Sequence, residues 1–269
     1  MPRRAMFKGV ISFADIRVPV KMYAAVESKE IRFHLLHDQD EVRLRQKMVC
    51  EKEDKPVPDE EIIKGLEVDD GKYILLTPED LEEIQPETNR SIEVEGFTDF
   101  DSVDPRYYDR PYHLGPDGEE EKYMTLAQAL QATGKMGVCH WSFRKRDYSG
   151  VLLSRSGDIL ELITLRTAGE VGAAGDLDLP EAKLSAKEKK TAGYLVDELT
   201  DEFDPSQYRN DFRDDLEDLI KTKAGGGKVK KRKAKKTEPT EAANLSDILE
   251  ASLKEAKKQG KSKKQKAKS

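Results

Sequence analysis

The chain has 269 residues, of which 36% are hydrophobic and 37% are charged, and its formal net charge is -6. This length supports one large domain or two modest ones, while the high charged share predicts that part of the chain is unstructured or that surface dominates the fold. Two cysteines, Cys50 and Cys139, exclude a disulfide framework and fit a reducing cytosol. Because no apolar run reaches about 18 residues and the first ten residues lack an apolar core, we expect no membrane span and no signal peptide.

The charge is divided between a body and a tail. Residues 224–269 contain fifteen basic and five acidic side chains, a balance of +10, whereas the preceding residues contain 32 basic and 48 acidic ones, a balance of -16. The tail is therefore expected to attract a polyanion. The acidic body can bind one only where its positive groups gather on a single surface.

The first half of the chain predicts short strands. Pro19 indicates an edge position for the second of them, because proline cannot donate to a strand ladder. Thr77 and Pro78 predict the cap and the first residue of a short helix. Residues 41–50 alternate most clearly between cationic and apolar side chains. The predicted strands are 6–13, 18–26, 31–36, 41–50, 73–77 and 91–97.

The middle of the chain predicts one helix and three further strands. The helix covers residues 119–133 and ends at Gly134. The strands are 136–148, 151–154 and 159–166, with a hairpin turn at 156–158. Many short strands that follow one another with few helices between them indicate antiparallel pairing. This pattern favours a barrel over a parallel α/β sheet. The apolar stripe of the helix consists of Tyr123, Leu126, Ala127 and Leu130.

Two amphipathic helices in series follow, and they predict a helical arm over about 185–222. A capping box at 185–188 starts the first helix, and Asp204 with Pro205 is predicted to cap and start the second. Each helix has an apolar face that needs a partner in the same chain or in a second copy. These faces are Tyr194, Leu195, Leu199 and Phe203 in the first, and Tyr208, Phe212, Leu216, Leu219 and Ile220 in the second.

The glycines at 225–227 end the predicted fold. Residues 228–236 hold seven cations in nine positions, which predicts disorder. A short amphipathic helix is predicted at about 244–258, within this Lys-rich tail.

The sequence gives little support for catalysis. The four histidines, His34, His37, His113 and His140, are predicted to be isolated surface or core residues. Cys139 and His140 are neighbours in an alternating strand and should point apart. No phosphate-binding loop, dinucleotide fingerprint or metal-ligand spacing occurs. We therefore predict no catalytic residue, no metal, no cofactor and no enzymatic activity.

Nucleic-acid binding has better support. A strand would place Arg43, Arg45 and Lys47 on one face with their roots about 7 Å apart, a row that can follow a phosphate backbone. A second basic cluster, at 144–146, lies beside Trp141 and Phe143. A solvated strand face explains the first cluster as well as DNA binding does. The polar end of a hairpin explains the second cluster equally well. No base-reading motif is present, so binding should be independent of sequence and sensitive to salt.

Many segments, in order along residues 5–222, resemble those of the bacterial Ku family. Among them are FKGVISF at 7–13 and GKYILLT at 71–77. The other similar segments are 18–20, 31–34, 36–37, 43–50, 63–65, 90–92, 99–104, 107–108, 110–112, 134–137, 164–166 and 179–180.

The resemblance implies a mixed, β-rich fold with helices: a Ku-type β-barrel core over residues 1–223, extended bridge strands over about 41–75, the helical arm, and a disordered basic tail over 224–269. It implies a homodimeric ring that binds and protects the ends of double-stranded DNA. It also implies recruitment of an ATP-dependent DNA ligase in non-homologous end joining, in the bacterial cytoplasm at the nucleoid. No second cysteine follows Cys50 closely, so a zinc site there is unsupported.

The resemblance also assigns sites. DNA contacts in the body are expected at Arg43, Arg45, Lys47, Lys52, Lys64, Lys8, Arg144 and Arg146. In the tail they are expected at Lys230, Lys231, Arg232 and Lys233. Ligase contacts are expected at Leu245, Ile248, Leu249 and Leu253. Dimer contacts are expected at Tyr194, Leu195, Leu199, Phe212 and Leu216.

Two other functions stay open at this point. An architectural, chromatin-like protein would use the basic tail as its main DNA contact and the body as a dimeric spacer. An enzyme would use the carboxylate-rich body together with a metal.

Overall fold

The computed structural model describes residues 4–86, 89–173, 175 and 185–227, together with Leu249 and Ser252. Within these parts the chain divides into two compact units, with the division after Asp176. Lys230, Lys231, Arg232, Lys233, Leu245, Ile248 and Leu253 lie outside the described residues, and Leu249 occupies a helical position. None of the helices described is both long and apolar enough to cross a bilayer.

The first unit contains nine strands and two α-helices in its described residues. Seven strands form a closed barrel in the order β1-β2-β6-β9-β8-β7-β5, and β3 pairs only with β4. The strands are β1 (Phe7–Phe13), β2 (Ile16–Ala24), β3 (Lys64–Asp69), β4 (Lys72–Leu76), β5 (Ser91–Asp99), β6 (Tyr108–Pro116), β7 (Lys135–Phe143), β8 (Arg146–Leu153) and β9 (Leu160–Leu165). The helices are α1 (Pro78–Glu83) and α2 (Glu120–Thr133).

The barrel encloses one main hydrophobic core, which confirms the predicted fold class. Alternate residues of β2, Val18, Val20 and Met22, are buried, as expected for strands with one face inward. Helix α2 buries the four residues of its predicted stripe in the same core. The Tyr123 hydroxyl donates to the Leu114 carbonyl and accepts from the Leu160 amide, so the polar tip of this buried ring is satisfied.

The edge position predicted for Pro19 is wrong, because β2 lies between β1 and β6. Pro19 is opposite Val10, and its carbonyl accepts from the Asp117 amide at 3.1 Å. The nitrogen and carbonyl of one strand residue point to the same side, so the missing N–H also faces β6. Pairing between β2 and β6 ends with Val20 opposite Pro116. Pro19 lies just beyond this last pair, so no hydrogen bond between the two strands requires its N–H.

The single strand predicted over 136–148 is also wrong. The chain instead turns at Arg144 and Lys145, so that β7 and β8 form a two-residue hairpin with Phe143 opposite Arg146. Both turn residues adopt the left-handed backbone conformation, with φ of 52° at Arg144 and 64° at Lys145. Such turns favour Asn-Gly, and neither residue type is present to signal one. The predicted turn at 156–158 is confirmed, with Gly157 at φ 79°.

Two further predicted strands, 31–36 and 41–50, are not regular strands. These segments form only isolated β-bridges, one between Leu36 and Arg43 and one between Val49 and Pro56. The prediction at 77–78 is confirmed, since Thr77 caps α1 in a capping box with Asp80 and Pro78 opens the helix.

The second unit contains α3 (Ala186–Leu199) and α4 (Asp211–Ala224) in its described residues. The capping box of Ser185 and Glu188 is present as predicted. The second helix does not start at Pro205. Asp204 caps only a short 3-10 turn, and α4 begins at Asp211 with Asn210 as its cap. Tyr208 therefore lies in the link between the helices and not on α4.

Candidate nucleic-acid interface

Residues 25–90, which we call the connection, leave the barrel after β2 and return to it at β5. Backbone hydrogen bonds join His37 to Val42 and Leu44 to Leu35, each at 2.9 Å, and the chain turns between them. A second turn is closed by bonds from Cys50 to Lys55 and from Val57 to Met48, also at 2.9 Å. The stretch 42–50 therefore runs between two turns and is held at each end.

Acidic and basic side chains are separated along this part of the connection. The stretch 42–50, which we call the basic stretch, carries Arg43, Arg45 and Lys47 and no carboxylate. The acids lie in the flanking turns, where Asp40 accepts hydrogen bonds from the Val42 amide and the His37 ring. Short acidic side chains favour turns because they bond to nearby backbone amides. The turn acids are Asp38, Asp40 and Glu41 on one side and Glu51, Glu53 and Asp54 on the other.

The five cations predicted for this region are exposed and unpaired within the described chain. Elsewhere in the connection, Lys55 lies 3.8 Å from Glu53 and Lys72 lies 3.9 Å from Asp69. Lys52 lies in the turn after the basic stretch, and Lys64 opens β3. The unpaired cations are Arg43, Arg45, Lys47, Lys52 and Lys64.

Large apolar side chains of the connection are exposed as well. Phe33 is 70% exposed and Met48 is 69% exposed, and β3 and β4 bury no residue. Exposed apolar side chains in this number along one segment are typical of an interaction site. The exposed residues are Val26, Phe33, Leu35, Leu36, Val42, Leu44, Met48, Val49, Ile62, Ile63, Leu66, Val68, Tyr73, Ile74, Leu75 and Ile84.

The second predicted basic cluster is brought together only in part. Lys8 and Arg144 line one open cleft of about 450 Å³, which we call the basic cleft. Arg146 does not line it. Arg90, which sequence reasoning missed as a site residue, lines the same cleft. It is 82 positions from Lys8 in the sequence, and only the pairing of β1 with β5 brings them close.

Lys8 is not a free cation. It lies 3.2 Å from Asp117, and Lys21 lies 2.6 Å from the other oxygen of the same carboxylate. Hydrogen bonds from Lys21 and then Lys8 hold the pKa of Asp117 below its ordinary value. Two lysines thus share one negative charge, which leaves an excess of one positive charge.

The cysteines and histidines do not gather into a metal site. In the described parts of the chain, no three His, Cys, Asp or Glu side chains are placed to hold an ion. Cys139 is buried and His140 is exposed, so the prediction that they point apart is confirmed. His140 Nδ1 lies 3.0 Å from Ser149 Oγ, and its other nitrogen lies 3.5 Å from Glu95, which is typical of a satisfied surface histidine.

The two helices of the arm expose apolar side chains as predicted, but Phe203 and Tyr208, which were predicted to lie on the helix faces, lie between α3 and α4. Among the described residues, α3 and α4 bury none. Tyr194, Leu199 and Phe212 are more than half exposed, while Leu195 and Leu216 are half-buried. Phe203 and Tyr208 stack on each other with ring centroids 5.2 Å apart, and both rings remain largely exposed.

Comparison with known proteins matches residues 12–193 to the Ku70/Ku80 beta-barrel domain family. The chain is 44% identical over 249 residues to the non-homologous end joining protein Ku 2 of Geotalea uraniireducens, covering 93% of this chain and 97% of that protein. It is 36% identical to the non-homologous end joining protein Ku of Mycolicibacterium smegmatis, covering 96% and 84% of the two chains. The corresponding protein of Mycobacterium tuberculosis is 32% identical, with 93% and 95% covered.

Proposed function

This chain belongs to the Ku family, and from that premise we propose that it acts in non-homologous end joining by binding the ends of double-stranded DNA as a homodimeric ring. The observation that carries the proposal is the connection, where an acid-free basic stretch lies within a segment whose apolar side chains are also exposed. Such a segment has one set of groups for a polyanion and another for a protein surface.

The DNA contact is proposed for the five unpaired cations, Arg43, Arg45, Lys47, Lys52 and Lys64. Unpaired cations bind phosphates without first breaking an internal ion pair. Backbone phosphates need only positive donors in series, which agrees with the lack of a base-reading motif. The turn acids and the acidic body would repel DNA elsewhere, so that binding is confined to the basic surface.

The dimer is proposed from the apolar surface that each protomer leaves uncovered. A second copy would cover the exposed apolar residues of the connection and the faces of α3 and α4. Homodimers are the commonest assemblies and bury large apolar interfaces. The dimer contacts proposed on the arm are Tyr194, Leu195, Leu199, Phe212 and Leu216.

The tail is proposed to recruit an ATP-dependent DNA ligase and to add non-specific affinity for DNA. This part of the proposal rests on the sequence, because all of these residues except Leu249 lie outside those described. The ligase contact is proposed for Leu245, Ile248, Leu249 and Leu253, and tail DNA contacts for Lys230, Lys231, Arg232 and Lys233. We propose that the protein itself is not an enzyme and acts on the bacterial chromosome in the cytoplasm.

The test is a gel-shift at moderate salt with one short duplex in three forms: linear, a sealed dumbbell and a nicked circle. A ring that threads onto DNA should bind the linear form alone. Equal binding to all three would contradict the ring and favour the architectural function, with the basic tail as the main contact.

A charge-matched pair of variants tests where DNA lies. Arg43→Gln with Arg45→Gln removes two unpaired cations, whereas Lys55→Gln with Lys72→Gln removes two that have acidic partners. Each ring of two protomers then loses four cations, so we expect the first pair to weaken binding of linear DNA roughly tenfold or more and to flatten its salt dependence by the equivalent of about four phosphates. The second pair should change both quantities much less, and equal effects of the two pairs would remove the basic stretch from the proposal.

A further inference from the structure

We propose that a groove beside α2 is a docking site for an amphipathic α-helix of another protein, one that carries an apolar stripe with a lysine or arginine next to it. This groove, which we call the α2 groove, lies between α2, the turn that joins β1 to β2, and Phe97 of β5, and its volume is about 760 Å³. The inference goes beyond the proposed function, because the described lining of the groove contains none of the residues proposed to contact DNA.

The walls of the α2 groove are apolar side chains that the barrel leaves partly uncovered. The rings of Phe13 and Phe97 pack edge-on with their centroids 6.0 Å apart, and Phe97 remains 52% exposed. Ile16 is 46% exposed, while Leu126 and Leu130 are buried and line the groove from α2. Apolar clefts of this size with a few charged groups are typical of binding sites. The groove therefore favours an occupant that has apolar side chains of its own.

The part of α2 that faces the groove is a ridge of small, exposed side chains. Thr125, Ala129 and Thr133 are spaced four residues apart, so they follow one another about 6 Å apart along the helix. The Thr125 hydroxyl donates to the Glu121 carbonyl and the Thr133 hydroxyl to the Ala129 carbonyl, each at 2.8 Å. Because both hydroxyl protons are used within α2, the ridge offers mainly methyl groups to an occupant.

The shape of the groove favours a helix over an extended peptide. An extended peptide gains affinity by pairing with a free strand edge, and the described barrel is closed and offers none. A ridge at four-residue spacing instead fits between the side-chain rows of a second helix. With its 14 residues α2 is about 21 Å long, which allows contact over about four turns.

Charged side chains at the rim define the charge of the occupant. Lys122 and Lys135 are already paired with carboxylates of the barrel unit. Asp15 in the turn and Glu121 on α2 lie on opposite walls, and neither forms an ion pair within the described chain. Arg17 is the one unpaired cation of the described lining, so the free charges of the rim sum to one negative charge. A cation beside the apolar stripe of the partner helix would therefore be attracted to Asp15 and Glu121.

The experiment measures binding of synthetic helical peptides to the full-length protein by fluorescence anisotropy. Three labelled peptides share leucines at i, i+3, i+4 and i+7 and carry lysine, glutamine or glutamate at one position beside this stripe. We expect the lysine peptide to bind most tightly and the glutamate peptide least tightly. Ala129→Gln places a long side chain on the ridge and should weaken binding of the lysine peptide roughly tenfold or more. Ala132→Gln makes the same change at an exposed position of α2 outside the groove and should leave binding unchanged.

A second variant tests the rim separately from the ridge. Asp15→Asn combined with Glu121→Gln removes both unpaired carboxylates and keeps the apolar walls. It should weaken binding of the lysine peptide roughly threefold or more and leave binding of the glutamine peptide unchanged. Equal weakening for the two peptides would contradict the assignment of a cation to the partner helix.

Controls separate docking from folding, from DNA binding and from self-association. Thermal unfolding followed by Trp141 fluorescence, and binding of linear DNA, should be the same for Ala129→Gln as for the wild type. Equal affinity of these two proteins for the lysine peptide, or no binding by the wild type, would overturn the docking site. A change in oligomeric state on Ala129→Gln, measured by sedimentation, would also overturn it, because a second copy of this chain would then cover the groove.

Discussion

The barrel and the connection both carry alternating apolar side chains, but only the barrel encloses them. Leu114, Leu160 and Leu162 are fully buried, whereas Phe33 and Met48 are more than two-thirds exposed. Every barrel strand has a partner on both sides, while the connection has two isolated bridges and one two-stranded sheet. The barrel therefore buries its apolar residues within itself, whereas those of the connection stay exposed in the described chain.

The largest expected difference between the two regions is in thiol reactivity. Burial raises the pKa of Cys139 to about 12, with a smaller contribution from Glu95, whereas Cys50 lies half-buried in the connection. Because the thiolate is the reactive form, Cys139 should react roughly a thousandfold more slowly than an ordinary thiol with a pKa of 9.0. Ellman's reagent should label one cysteine of the native protein and two after denaturation. Labelling of both cysteines at similar rates in the native protein would contradict the predicted difference in thiol reactivity.

Two leucine-to-alanine variants, one in the barrel and one in the connection, test the difference in burial through the free energy of unfolding. Leu162→Ala empties part of the barrel core and should lower the free energy of unfolding by about 2–5 kcal/mol. Leu66→Ala in β3, where the side chain is 59% exposed, should change it by less than about 0.5 kcal/mol in the monomer. Unfolding is followed through Trp141, the single tryptophan, which is buried against Tyr148. If the proposed dimer covers β3, Leu66→Ala should instead weaken dimerisation.

Two glycines of the barrel provide a finer test. A Cβ at Gly150 would lie 2.6 Å from the Ile163 carbonyl and 2.7 Å from the Trp141 ring, whereas one at Gly96 would meet nothing within 4 Å. Gly150→Ala should therefore destabilise the barrel by about 1–3 kcal/mol through overpacking. Gly96→Ala should be close to neutral in the same melting experiment. Equal effects would show that the packing around β8 is looser than described.

The smallest expected effect is a gain in stability at the hairpin tip. Lys145→Gly replaces a left-handed residue at φ 64° with the residue that accepts this conformation. We expect the free energy of unfolding to rise by about 1 kcal/mol. As a control, Gln128→Gly within α2 should lower the free energy of unfolding by a similar amount, because glycine is unfavourable in a helix. A destabilised Lys145→Gly variant would mean that the turn is not strained.

Sequence patterns predict the barrel well because its elements bury one face within the chain. The α2 stripe of Tyr123, Leu126, Ala127 and Leu130 is confirmed residue by residue. Alternation over 41–50 was a poorer guide, since it describes what each face could pack against and not whether a partner is present. The basic stretch therefore keeps its cations without forming the regular strand that the pattern predicts.

Two other features were hidden from sequence reasoning for local reasons. The turn at Arg144 and Lys145 contains neither glycine nor asparagine, so the hairpin had no signal. Arg90 is an isolated cation in the sequence, and only the register of β1 against β5 places it beside Lys8. Sites formed by strands distant in sequence need the topology before their residues can be grouped.

The parallel pairing of β1 with β5 has a consequence for folding kinetics. Val10 pairs with Ser91 and Ile11 with Ile92, so the barrel closes through a loop of about eighty residues that includes the whole connection. Closing such a loop costs about 2.5 kcal/mol more in chain entropy than closing a turn of roughly five residues. This pairing raises the contact order of the barrel and should form late, after the antiparallel hairpins. Shortening the connection should therefore speed folding of the barrel while abolishing the surface proposed to bind DNA.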